Sequence, residues 1–426
     1  MSGAEREWWT NRTEANAYPA RAAPTHLVVS PAGPRNVRAL SAVSFLTGIH
    51  TNLLQVVLQP FVVRVAGSVA ALSLLQTFAN RLGGVVGSFA QLAGGHLSDR
   101  WGRKPLILIQ SAFTLSSLSL FLGTAVTEFW PLLVPAFLFL GLGLIGAPAV
   151  QSTVAESVDT DGRAMAYSKV LFFALLPAAA IALLGGYLAD EYGYPLVFGV
   201  SLALEAVNLA ILAGLLRETL GQRNGERWSF RRAFRLPDSR LRGILLVMTV
   251  DSFSWMITIL IIYGIASQTL GFTNADVGLV VAVWALTFAA ATLPVGKLVE
   301  RFGSRRMIFL SESLGVPVFL GWLFARTPAQ FALVSVANGL AAATWVPAWQ
   351  TLLANSVEDR VRGGVLGSMS AARGLLSFPA PVLGGLLYEW FDYPAPILAS
   401  LAGVIITMAL VLRFVHDPPR ARTASR

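Results

Sequence analysis

The chain contains no cysteine, so neither a disulfide nor a thiolate metal site is available to it. Charge is scarce too: Asp, Glu, Lys and Arg make up 13% of 426 residues, about half of the ~25% usual in globular domains. Histidine is limited to His26, His50, His96 and His416. These are scattered, so no ligand cluster and no metal site is expected. No Gly-rich phosphate loop ending in Lys-Ser or Lys-Thr occurs, which argues against an ATP-driven pump. No constellation of nucleophile and base occurs either, so the chain is not read as an enzyme, and no cofactor is expected. Residues 1–38 hold no apolar run before Leu40, which argues against a signal peptide and for a cytoplasmic tail.

What the chain does have is apolar length. Hydrophobic residues make up 55% of it, and mean hydropathy is +0.63. Apolar segments fall at 40–63, 69–94, 105–127, 130–154, 165–188, 195–216, 243–265, 275–297, 306–325, 328–353, 364–388 and 394–415. At ~1.5 Å per residue each can cross a ~30 Å hydrocarbon layer as a helix. Lipid offers no partner to bare backbone groups, so only helices or closed barrels cross it. Runs this long exclude barrel strands. An all-α membrane protein of twelve transmembrane helices follows, expected as a monomer.

Lys and Arg set the orientation. The tail, the turn at 100–104, the loop 217–242 with its eight arginines, and the turn at 297–306 are all basic. So are Arg360 and Arg362, and an even number of spans puts all these segments on one face. The opposite face has Arg64 and Arg326 beside Glu128, Asp190, Glu191, Asp276, Glu389 and Asp392. The positive-inside rule makes both termini cytoplasmic, in the cell membrane. The net charge of +9 is therefore topological and does not indicate nucleic-acid binding. Residues 226–234, ERWSFRRAF, read as an interfacial helix on anionic headgroups or as a basic linker. The expected domains are a tail (1–38), a six-helix bundle (39–216), a linker (217–242), a second six-helix bundle (243–415) and a short tail (416–426).

The two bundles repeat each other. GGHLSDRWGRKP (94–105) returns 201 residues later as Gly296-Lys297-Leu298-Val299-Glu300-Arg301-Phe302-Gly303. PAVQSTVAESV (148–158) matches PAWQTLLANSV (347–357), and LGGYLADEYGYP (184–195) matches LGGLLYEWFDYP (383–394), both 199 residues apart. Repeated helical halves of this kind belong to transporters with a site between the repeats.

Residues 95–104 fit the turn signature G-x-L-[AS]-D-R-x-G-R-[KR] at every fixed position. With the twelve-span plan over 38–416, the chain resembles the major facilitator superfamily. The resemblance implies two pseudo-symmetric bundles that rock in alternating access, with spans 1, 4, 7 and 10 lining the cavity. It also implies that spans 2, 5, 8 and 11 meet across the interface. Asp99 would face the start of span 11 at Gly363-Gly364, and Glu300 the start of span 5 near Ala164, since a helix N-terminus attracts anions. Gly95, Asp99, Arg100, Gly102, Arg103, Lys104, Gly296, Glu300, Arg301 and Gly303 then form a cytoplasmic latch. Gly95 would admit a close backbone and Gly102 a tight reversal. The plainer reading is that the cations only orient the chain.

Charges inside spans are costly, at least ~2.5 kcal/mol at midplane, and are functional candidates. Arg81 in span 2 and Arg373 in span 11 have no counterpart in the other half. Together they favour a substrate with an anionic group. Asp251 in span 7 reads either as a proton carrier, since a carboxyl group taken out of water can cycle its proton, or as a fixed counter-ion to an arginine. His50 in span 1 is a second proton candidate or a packing histidine. Asn338, Trp345 and Trp349 lie on one stripe of span 10, as a stacking surface for solute or as helix packing. Glu205 and Glu312 sit on spans the family places at the periphery, and Glu312 reads as a partner of a basic loop.

Many proton-linked drug exporters of the superfamily carry an arginine in span 4 and a Gly-Pro-x-x-Gly-Gly run in span 5. Span 4 here has no arginine, and 181–186 reads Ile-Ala-Leu-Leu-Gly-Gly. The reading that follows is a secondary transporter of a small organic solute, coupled to protons. The alternatives are a multidrug proton antiporter and, at greater distance, a non-transporting sensor on the same fold.

Overall fold

The computed structural model describes residues 33–80, 84–159, 163–220, 239–356 and 362–417. They form α1 (Gly33–Ala66), α2 (Val69–Phe78), α3 (Gly84–Trp101), α4 (Arg103–Thr127), α5 (Leu133–Leu142), α6 (Ala147–Glu156), α7 (Arg163–Leu175), α8 (Ala178–Tyr192) and α9 (Tyr194–Leu215) in the first half. The second half has α10 (Ser239–Ile259), α11 (Ile262–Leu270), α12 (Asn274–Phe302), α13 (Ser304–Phe324), α14 (Pro328–Ser356), α15 (Arg362–Ser377), α16 (Ala380–Phe391) and α17 (Pro394–Phe414). Among the described residues, ten helical stretches are long and apolar enough to cross a membrane. Spans 2 (α2, α3) and 11 (α15, α16) supply the other two crossings, each from two shorter helices. Spans 4 (α5, α6), 5 (α7, α8) and 7 (α10, α11) are also broken. Spans 5 and 11 break at Pro177 and Pro379, where the ring removes a ladder hydrogen bond.

Among the described residues, the helix of span 1 already covers residues 33–38, part of the stretch read from the sequence as tail. Asn36 explains the extra turn. Its amide donates to the Arg217 carbonyl at 3.1 Å and its oxygen accepts from the Arg217 N–H at 2.8 Å, tying the start of span 1 to the end of span 6.

Two turns carry the repeat into three dimensions. Gly102 and Gly303 both adopt positive φ, 116° and 87°, which lets spans 2 and 8 reverse at once into spans 3 and 9. An acid at matching positions of the two halves caps each new helix. Glu218 accepts from the N–H groups of Arg103 (2.9 Å) and Lys104 (3.1 Å), and Asp417 accepts from that of Arg305 (3.1 Å). Replacing Gly102 by Ala places a Cβ against the Glu218 carboxylate at an unfavourable φ. The expected cost is about 1–3 kcal/mol, read as a lower Tm in detergent. Gly296→Ala meets open space and is expected to leave Tm unchanged.

The buried core is unequal across the membrane. Away from the termini, one cluster runs through both bundles, from Leu53, Phe121 and Phe198 to Ile261, Phe319 and Trp322. On the half that carries the termini it divides. Leu40, Leu106 and Leu212 belong to a cluster of the first bundle, while Met248, Ile308 and Trp349 belong to one of the second. Among the described residues, the hydrophobic core is continuous across the bundles on the face opposite the termini and divided between them on the terminal face.

Candidate functional site

The second bundle buries two acids together. Asp251 on span 7 is 3% exposed and Glu312 on span 9 is 1% exposed. The two carboxyl groups are close enough to act on each other electrostatically, and the Arg373 guanidinium is the cation whose charge acts on Asp251. Among the described residues, Asp251 Oδ1 and both Glu312 oxygens have no hydrogen-bond partner. Indoles close the site. Trp345 lies beside Asp251 and under Arg373, whose guanidinium carbon is 5.9 Å from its ring centroid. Trp255 lies beside Glu312 and packs 4.9 Å from Phe319. Span 7 can lean on span 9 here because Gly315 presents no side chain to Trp255.

Glu312 is thus central, where the sequence reading put it at the periphery as a partner of a loop cation. A surface position would leave it hydrated, but its helix is packed between spans 10 and 12. A signal was present: Glu312 is the repeat counterpart of Ser111, at the same offset that relates Gly102 to Gly303.

Ser111 itself belongs to a second buried cluster, in the first bundle. Its hydroxyl donates to Glu205 Oε1 in a short hydrogen bond, and Asn208 Nδ2 donates to Glu205 Oε2 at 3.0 Å. His50 Nε2 approaches Glu205 Oε2 at 3.2 Å. His50 and Glu205 are 3% and 5% exposed. Spans 1, 3 and 6 therefore meet on one carboxyl group, as spans 7 and 9 meet on two.

The stripe on span 10 divides. Trp345 is half-buried against the acid pair, whereas Trp349 is 2% exposed within the core of the second bundle and Asn338 is 5% exposed. Arg81 lies outside the described residues.

At the terminal turn, Asp99 accepts from Arg103 Nη1 at 2.6 Å, and Arg103 Nη2 donates to Glu156 at 3.0 Å. Lys104 Nζ donates to the Ala213 carbonyl at 2.7 Å. Arg100 is exposed, and Arg301 stacks on Phe302 at 5.4 Å. The surroundings of Gly363, Gly364 and Ala164, where Asp99 and Glu300 are expected to point, lie outside what is described. The close approach expected at Gly95 belongs to Gly94 instead. A Cβ at Gly94 would strike the Ile145 carbonyl, while Gly95 has ordinary room beside Pro148.

Sequence reasoning missed the contacts that join the bundles. Gln59 Oε1 accepts from the N–H groups of Tyr263 (2.9 Å) and Gly264 (3.2 Å), which the break in span 7 leaves free. Asp190 at the end of span 5 caps the start of span 8, and Glu389 at the end of span 11 faces the start of span 2. Their register was legible, since both stand at the seventh position of the repeated segments at 184 and 383.

Residues 40–245 and 244–426 each match the Major Facilitator Superfamily. The chain belongs to this superfamily. The match falls in two segments that divide the chain at its internal repeat. The protein is a multi-pass membrane transporter of small solutes, built as two six-helix bundles. It is 26% identical over 391 residues to the multidrug resistance protein MdtG of Salmonella heidelberg (strain SL476), covering 88% of this chain and 94% of that one. To the Klebsiella pneumoniae (strain 342) protein of the same name it is 24% identical, covering 86% and 90%. Among solved structures, the nucleoside transporter NupG aligns with a TM-score of 0.69 at 12% identity, covering 89% of this chain and 98% of that one. A D-xylose–proton symporter aligns with 0.68 at 16%, covering 90% and 98%. These two likenesses concern the fold alone.

Proposed function

We propose that the protein is a proton-coupled exporter of small amphipathic organic solutes, with both termini in the cytoplasm. The observation that carries the coupling is the buried pair Asp251–Glu312 set against Arg373. Two buried acids beside a single guanidinium leave one acid without a counter-charge, and a proton supplies it. Burial beneath Trp255 and Trp345 keeps that proton from exchanging freely with water. The direction is supported by the likeness to proteins named for multidrug resistance, and the orientation by the basic terminal-face loops. Trp345, half-buried at the edge of the pair, is the surface on which the apolar part of a solute would rest. The charge of Arg373 acts on Asp251, an internal acid. This supports solutes recognised through apolar area over simple organic anions.

Vesicle transport tests the reading. Anionic, neutral and cationic amphipaths are offered in turn, with an imposed pH gradient and without one. Gradient-driven movement of at least one neutral or cationic amphipath is expected. If no solute moves under either condition, the transporter assignment fails. If movement is indifferent to the gradient, the coupling fails. Arg373→Ala is expected to leave solute affinity within about threefold while slowing gradient-driven transport. A selective loss of anion binding in that variant would restore the organic-anion reading.

A further inference from the structure

We propose that Asp190 and Glu389 are paired clasps that hold the face opposite the termini shut, and that both release whenever the transporter opens to that side. This rests on the transporter reading but not on any particular solute or coupling ion. Asp190, at the end of span 5 in the first bundle, grips the second bundle. Its Oδ1 accepts from the Asn274 backbone N–H (3.0 Å) and side-chain amide (2.7 Å), and its Oδ2 accepts from the Ala275 N–H (2.7 Å). Glu389, at the end of span 11 in the second bundle, returns the grip: its Oε1 accepts from the Ala70 N–H at the start of span 2, at 3.3 Å. The two acids stand 199 residues apart, in register within the internal repeat.

Each carboxylate meets free N–H groups and the positive end of a helix that belongs to the other bundle. A contact between bundles differs from an ordinary cap, because rocking must break it while each bundle stays whole. The glycines beside the acids make the approach possible. A Cβ at Gly186 would strike the Asn274 carbonyl, and one at Gly385 the Ser73 hydroxyl. Gly186 and Gly385 share the register of the two acids, each four positions before its own. Tyr194 adds a hydrogen bond to Asn274 at 3.2 Å. The core agrees with this reading, being continuous across the bundles on this half of the membrane and divided on the other.

The clasps are unequal. Asp190 receives three hydrogen bonds, two of them short, and Glu389 one long bond. Asp190 therefore carries more of the closure. Both carboxylates are exposed at the rim, so water can replace the lost bonds as the seam parts. The closed state is thereby favoured without being locked.

The absence of cysteine makes the test clean. A Ser73→Cys reporter lies under Gly385 in the seam between spans 2 and 11 and is 2% exposed in its native form. A Thr153→Cys reporter lies inside the first bundle at 0% exposure. Intact cells carrying either one are treated with a membrane-impermeant thiol reagent. Asp190→Asn is expected to raise labelling at Ser73→Cys about tenfold and Glu389→Gln about two- to threefold, with the double variant highest, as loss of charge-assisted bonds shifts the population outward. Thr153→Cys stays unlabelled throughout. Asp190→Glu, which keeps the charge on a longer arm, falls between the native chain and Asp190→Asn. Unchanged Ser73→Cys labelling in all four variants overturns the proposal. So does a rise at Thr153→Cys equal to that at Ser73→Cys, which would report loosening of the fold. Because labelling needs neither solute nor pH gradient, failure here is distinct from failure of the coupling assignment.

Discussion

Asp251→Asn is expected to abolish pH-gradient-driven transport, by at least about 100-fold, while solute exchange without a gradient persists. If Asp251 and Glu312 were both ionised at ~4 Å in surroundings of effective dielectric ~20, they would repel by about 4 kcal/mol. That repulsion makes the doubly ionised form about a thousandfold rarer than it would be for two independent acids. Arg373 compensates the remaining negative charge. With one proton shared by the two acids, the proposed site would carry no net charge to bury. An asparagine at 251 removes the partner with which Glu312 shares the proton. One acid and one guanidinium then remain, and the site is neutral without a proton to carry. Glu312→Gln acts in the same way from the other side. The measurement is solute accumulation against counterflow in vesicles, with expression and folding checked in parallel. Retention of gradient-driven accumulation in both single variants would remove the pair from the coupling mechanism.

Glu205→Ala is expected to destabilise the first bundle by about 3–5 kcal/mol, the usual cost of removing one partner from a buried charged cluster. Three elements converge on this carboxyl group: His50 from span 1, Ser111 from span 3, and Asn208 from span 6 itself. Alanine leaves the hydroxyl, the amide and the imidazole without their acceptor, in a place water does not reach. Glu205→Gln keeps the shape and one acceptor oxygen, and about 1–2 kcal/mol of loss is expected. Thermal unfolding in detergent ranks the variants, with Glu205→Ala well below Glu205→Gln. Ser111→Ala combined with Glu205→Ala should cost less than the sum of the two, because they share one hydrogen bond. An additive result would show that the serine and the acid are not coupled. Gradient-driven transport in Glu205→Gln separates scaffold from function. If it survives at near-native rate, the cluster is structural, and protons move through the second bundle alone.

Much of this molecule is legible in one dimension. Span number, helical class and the division into halves follow from hydrophobic length, since lipid enforces internal hydrogen bonding on every crossing. The turn at 94–105 and its copy in the second half declare both the reversal and the family. The placement of arginines in loops supports the orientation. These features repeat or run along the chain, so the sequence displays them directly.

What the sequence left undetermined was which buried charges face each other. Periodicity placed Asp251, Glu312 and Arg373 on three spans, and only the packing of the second bundle brings Asp251 under the influence of the other two. The same holds for His50, Ser111 and Glu205 on spans 1, 3 and 6. The clasps at Asp190 and Glu389 needed the tertiary structure for another reason. Their partners are backbone N–H groups at helix starts, which every helix possesses and no side-chain pattern marks. The repeat showed that two acids were equivalent, and the contact between bundles supplied the helix start that each one grips.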